Sequence, residues 1–150
     1  MKPSAKEPPS LIVRAAARYR ERARLSGFAV TLQARLTRGR PFSCLLTTDA
    51  ELRRLNREFR GKDYATDVLS FPAGAGPLLG DIAISLDHAR AQARALGHTI
   101  TEEVSILLLH GVLHLLGMDH ESDEGQMRRT ERAWQRKLGL PAGLIERAGQ

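Results

Sequence analysis

The chain has almost no cysteine and no long uninterrupted apolar run. Its single thiol, Cys44, cannot close an internal disulfide, so a reducing, cytoplasmic setting is expected and Cys44 reads as a small buried strand residue. The longest apolar stretch is broken by His110 and His114, and residues 1–10 are polar and contain proline. Neither a membrane span nor a signal peptide is expected. There is no internal repeat and no extended low-complexity segment. At 150 residues and 42% hydrophobic, one domain over residues 1–150 with a single core is expected, its first nine residues unstructured.

What the chain does have is positive charge, unevenly placed. Residues 1–60 hold 14 Lys and Arg against 5 Asp and Glu, while residues 61–150 hold 9 against 12. With a formal net charge of +6, a polyanion is the natural partner, since each neutralised phosphate releases counterions. The spacing of Leu11, Ile12, Ala15, Ala16, Tyr19 and Ala23 predicts a first helix ending near Gly27. One face of it would carry Arg14, Arg18 and Arg22, either toward nucleic acid or simply toward water.

Val30, Leu32, Ala34 and Leu36 alternate with polar residues and are followed by Phe42 to Thr47, a pattern that predicts a β-hairpin. Thr48 with Glu51 marks the start of a second helix, ending near Arg60 and Gly61. Thr66 to Phe71 and Leu79 to Ser85 read as two more strands. Leu86, Ala89, Ala93 and Leu96 then give a helix closed by Gly97. Thr99 and Glu102 open a long apolar helix from about Ile100 to Leu116, and a last helix is predicted from about Asp123 to Leu138. The order αββαββααα implies an α/β domain with a four-stranded mixed sheet, flanking helices and a central helix carrying two histidines.

Three of the five histidines fall within eleven residues, in His110-Gly-Val-Leu-His114-Leu-Leu-Gly117-Met-Asp-His120. Four positions apart on a helix, His110 and His114 share one face. Gly117 can adopt positive φ, end the helix and return His120 toward the pair. Three imidazoles left unsatisfied among apolar residues would each cost about 1–3 kcal/mol, and a metal removes that cost. One zinc ion suits three neutral imidazoles, although nickel, copper and iron suit them too. Three protein ligands leave a fourth position open, the mark of a catalytic zinc whose water ionises near neutral pH. The spacing also matches that of metzincin peptidases, except that Gly111 stands where their general-base glutamate belongs, so peptide hydrolysis is the weaker reading.

The histidine segment, the run Leu55-Asn56-Arg57-Glu58-Phe59-Arg60-Gly61-Lys62-Asp63, the run Thr66-Asp67-Val68-Leu69-Ser70-Phe71-Pro72 and the segment Gly80-Asp81-Ile82-Ala83-Ile84-Ser85 together resemble the YbeY endoribonuclease family of bacteria. The resemblance spans about residues 45 to 121. It implies a metal-dependent, single-strand-selective endoribonuclease that matures the 3′ end of 16S ribosomal RNA and serves ribosome quality control. It also implies that His110, His114 and His120 hold zinc and that Arg60 is the functional arginine of the cleft. Single-stranded ribosomal RNA and the small ribosomal subunit are the implied partners, with no membrane or DNA partner expected. Ala65 departs from the pattern, in which a proline precedes the Thr-Asp pair. The N-terminal arginines are also less typical of the family, and no family role is carried onto them.

In this reading Arg60 offers a planar, permanently charged fork to a phosphodiester. Lys62 and Arg57 are secondary candidates for phosphate contact, Asp119 either orients a histidine or caps the turn, and Asp67 and Ser70 are equally well structural. The attacking oxygen is either zinc-activated water or the RNA 2′-hydroxyl. Two other functions stand beside this one, a zinc peptidase and a non-catalytic ribosome assembly factor whose zinc is structural.

Overall fold

A computed structural model describes residues 7–14, 18–119 and 121–141. Its elements are β1 (Ser10–Val13), α1 (Arg22–Arg35), β2 (Phe42–Thr47), α2 (Asp49–Arg60), β3 (Val68–Pro72), β4 (Gly80–Ser85), α3 (Leu86–Leu96), α4 (Ile100–Leu115) and α5 (Gln126–Leu138). The four strands form one sheet in the order β1-β2-β4-β3. β1, β2 and β4 run parallel, and β3 returns antiparallel to β4. An α/β domain with a four-stranded mixed sheet is therefore what the chain builds, with five helices among the described residues.

The N-terminal third differs from the sequence expectation, and the element order is βαβαββααα rather than αββαββααα. Residues 10–13 form an edge strand whose Val13 registers with Leu46 of β2. Residues 22–35 form a helix, which removes the predicted hairpin. Leu25, Ala29 and Leu32 recur at i, i+4 and i+7 and are buried together, so the apparent period-2 alternation from Val30 belongs to a helix face. Arg14 and Arg22 therefore do not share a helix face. Arg14 follows β1 and lies 3.6 Å from Glu51, and Arg22 opens α1 and donates to the Leu11 carbonyl at 2.7 Å. Residues 15–17, and residues 1–6 of the expected unstructured stretch, lie outside the described residues.

The other elements form where their end signals stand. Thr48 accepts the Glu51 amide, and Gly61 closes α2 in the left-handed conformation. Thr99 and Glu102 complete a reciprocal capping box at the start of α4. One face of the sheet, with Phe42, Cys44, Leu46, Ile82 and Ile84, packs on residues of α1, α3, α4 and α5 to make the main core. On the other face Leu69 and Ala83 lie under Leu52 of α2, with Leu45, Leu55 and Phe71 packed against them. Helix α4 is buried on nearly every side. Cys44 is a buried strand residue as expected, and burial pushes its thiol up to about 12.

Candidate functional site

Helix α4 brings His110 and His114 together. The Nε2 atoms of the two rings lie 3.2 Å apart, and the ring centroids 4.8 Å apart at an interplanar angle of 67°. Two imidazole ligands of a tetrahedral ion with bonds of 2.0–2.1 Å have their nitrogens about 3.3 Å apart. The pair therefore fits two corners of such a site. His110 is buried at 5% exposure, whereas His114 is partly open.

After the pair the chain turns as the glycine spacing requires. Gly117 has φ +97°, its amide donates to the His114 carbonyl at 2.9 Å, and the Met118 amide donates to the Leu113 carbonyl at 3.1 Å. These two bonds are the paired closure that ends a helix through a left-handed residue. The Asp119 carboxylate accepts the Glu121 amide at 3.0 Å, so this side chain braces the turn itself. His120 lies outside the described residues. Among the described residues no group of three His, Cys, Asp or Glu side chains is placed to share an ion.

Sequence reasoning missed Glu131. It is 1% exposed on α5, and its Oε2 lies 3.5 Å from His110 Nδ1. The ring thus turns one nitrogen toward His114 and the other toward a buried carboxylate, the arrangement by which an outer carboxylate orients a ligating imidazole. A signal was present: Met127, Glu131, Trp134 and Leu138 occupy one stripe of an amphipathic helix, and an acid on that stripe is anomalous unless it has a partner. The histidines outside the motif serve elsewhere. His88 Nδ1 lies 2.5 Å from Asp49 Oδ1, and His98 Nδ1 lies 3.3 Å from buried Glu103.

Gly111 explains the missing peptidase glutamate. A Cβ there would stand 3.0 Å from Ile82 Cγ2 and 3.2 Å from Ser70 Oγ, so the position faces the sheet and has no room for a longer side chain. The Ser70 hydroxyl donates to the Gly111 carbonyl at 3.1 Å. That bond fastens β3 to the histidine turn of α4, which gives Ser70 a structural role. Gly80 is tighter still, since a Cβ there would meet the Phe71 carbonyl oxygen and Leu115 Cδ2 at 2.5 and 2.7 Å.

Arg60 sits on the exposed last turn of α2, on the sheet face opposite α4. The elements meet at β3, an edge strand of the sheet. Phe59 packs edge-on against Phe71 of β3, with centroids 5.7 Å apart, while Ser70 holds α4 on the other side. Helices α2 and α4, which carry Arg60 and the histidine pair, thus flank the same strand. Of the secondary candidates, Arg57 lies 3.8 Å from Asp63, Lys62 is exposed, and the Asp67 carbonyl accepts the Ser85 amide at 2.9 Å between β3 and β4.

A family model described as Endoribonuclease YbeY matches residues 16–139. The chain belongs to the YbeY endoribonuclease family. It is 61% identical over 144 residues to the Endoribonuclease YbeY of Solibacter usitatus, covering 96% of this chain and 97% of that protein. The Endoribonuclease YbeY of Nautilia profundicola is 52% identical over 105 residues, which cover 69% of this chain and 76% of that protein. Among solved structures, the solution structure of TM1509 from Thermotoga maritima matches with a TM-score of 0.59 at 25% identity, covering 83% of this chain and 85% of that one.

The YbeY match runs from before α1 to the Gly139 cap of α5, so it takes in the histidine pair, Glu131, Gly111 and Arg60. Family membership and the lack of space at Gly111 together set the peptidase alternative aside. Ala65, the departure from the YbeY pattern, is half-buried. Its loop is held regardless, because buried Asn56 donates its Nδ2 to the Tyr64 carbonyl at 3.0 Å. Among the described residues no helix is long and apolar enough to cross a membrane.

Proposed function

We propose that this chain is a zinc-dependent endoribonuclease that cuts single-stranded RNA, with His110, His114 and His120 holding one zinc ion and Arg60 meeting phosphate. Its place, in this reading, is the cytoplasm, in 3′ end maturation of 16S ribosomal RNA and quality control of the small ribosomal subunit. The observation that carries the metal reading is the 3.2 Å separation of the His110 and His114 Nε2 atoms, with Glu131 behind His110. When bound, zinc supplies Lewis acidity and brings water to ionise near neutral pH.

The chain's own residues do the rest. Glu131, 3.5 Å from His110 Nδ1, stands where a carboxylate favours the ring orientation that turns Nε2 toward His114. Ser70 and Gly111 hold that helix turn close against β3. Arg60, exposed and without an ion pair among the described residues, is available to grip an RNA phosphate through paired N–H donors. The attacking oxygen is water or the RNA 2′-hydroxyl, and the ends of the product distinguish them, a plain 3′ or 5′ phosphate from the first and a 2′,3′-cyclic phosphate from the second.

The test incubates purified protein with single-stranded RNA, duplex RNA and casein, with and without a zinc chelator, beside His114→Ala and Arg60→Ala. Cleavage is expected of single-stranded RNA alone. Chelator and His114→Ala should abolish it, and Arg60→Ala should weaken it about tenfold, chiefly through KM, by losing one charged contact to a phosphate. Cleavage indifferent to chelator contradicts the zinc assignment. Absence of cleavage, with small-subunit assembly intact in cells carrying either variant, favours a structural zinc in an assembly factor.

A further inference from the structure

We propose that Phe59 and Tyr64 form a stacking platform for unpaired bases of the RNA strand whose phosphates Arg60 and Lys62 hold. This rests on the reading above that RNA is the substrate.

Helix α2 points Leu52, Leu55 and Asn56 at the sheet, and Phe59 continues that stripe one turn further, out over edge strand β3. Its ring touches Phe71 edge-on at 5.7 Å and 67°, yet the residue is 65% exposed. Tyr64, in the loop that follows, is 54% exposed. Fixed backbone presents it: Asn56, 2% exposed, holds the Tyr64 carbonyl through Nδ2 at 3.0 Å and accepts the Lys62 amide at its own carbonyl at 3.2 Å. Two aromatic side chains on one short, pinned segment are thus left in water.

The charges around them are sorted. Arg53 lies 2.8 Å from Asp63, Arg54 lies 3.1 Å from both Glu51 and Glu58, and Arg57 lies 3.8 Å from Asp63. Arg60 and Lys62, which lie between the two exposed rings in sequence, form no ion pair among the described residues. Aromatic faces interleaved with uncommitted cations are the chemistry that grips single strands, the rings stacking on bases of any identity and the cations tracking the backbone. Bases stacked inside a duplex cannot reach such rings. The platform therefore supplies selection for single strands, on the opposite face of β3 from the strand's bond to the histidine helix.

The experiment measures anisotropy of a labelled 2′-O-methyl oligonucleotide, and of the same oligonucleotide with internal abasic positions, on zinc-loaded protein across a salt series. Phe59→Leu, which keeps an apolar contact to Phe71, and Tyr64→Leu should each weaken binding of the base-bearing strand about tenfold. They should leave abasic binding and the salt slope unchanged, whereas Arg60→Ala should lower the slope by about one. Tyr64→Leu carries the test alone if Phe59→Leu does not fold. Variants that bind both strands as the parent does, or that lose affinity for both equally as a protein-docking surface would, overturn the platform while leaving an RNA-binding enzyme standing. A parent protein that binds neither strand overturns the platform together with the RNA reading.

Discussion

Glu131 is the residue whose removal reads most directly on the histidine pair. Glu131→Gln keeps the volume and takes away the charge beside His110 Nδ1. It is expected to weaken zinc binding about 10- to 100-fold, measured by competition with a chromophoric chelator and accompanied by a changed visible spectrum of the cobalt-substituted protein. An unaltered affinity and spectrum would reduce Glu131 to a packing role. The histidines and Gly117 were legible because helical spacing and a single positive-φ requirement are local facts. Glu131 was not, because its significance depends on α5 lying against α4, which the sequence shows only as an acid out of place on an apolar stripe. Gly111 was legible as an absence, but its cause, the nearness of Ile82 and Ser70, belongs to the packed sheet.

At the scale of the element, the start of helix α2 depends on Glu51. The Thr47 hydroxyl donates to it at 2.6 Å, and this bond, followed by the Arg54 and Arg14 guanidinium groups, holds its carboxyl below the usual carboxylate range. A carboxyl with a lowered folded-state pKa contributes stability that is present above the unfolded value, about 4.3, and lost as pH falls through the folded one. Urea midpoints of the parent and of Glu51→Gln should therefore differ at pH 7 and converge as the pH drops below about 4. A gap independent of pH would show that the bond to Thr47 does not set the carboxyl's ionisation. Elements with such end signals were predicted close to their observed bounds, as α2, α3 and α4 show. The N-terminal third was not. A four-residue edge strand is defined by its parallel partner some thirty residues away, and the residues of α1 satisfy a strand's alternation as well as a helix's stripe.

Across the whole molecule, the sheet is the organiser, with α4 on one face, α2 on the other and β3 at the edge where the two approach. The basic character of residues 1–60 is shared among strand ends, helix starts and ion pairs rather than gathered on one helical face. Among the described residues the cations left uncommitted near β3 are Arg60 and Lys62, and part of the salt dependence expected of RNA binding is accordingly assigned to that edge. The central claim is that one zinc ion, held through the His110 and His114 pair, is required to cut RNA. It is tested by titrating zinc into metal-free protein while following cleavage of single-stranded RNA. Activity should rise linearly and break at one equivalent per chain, with no rise in His114→Ala. Full cleavage before any zinc is added, or a rise that ignores the loss of His114, would contradict it.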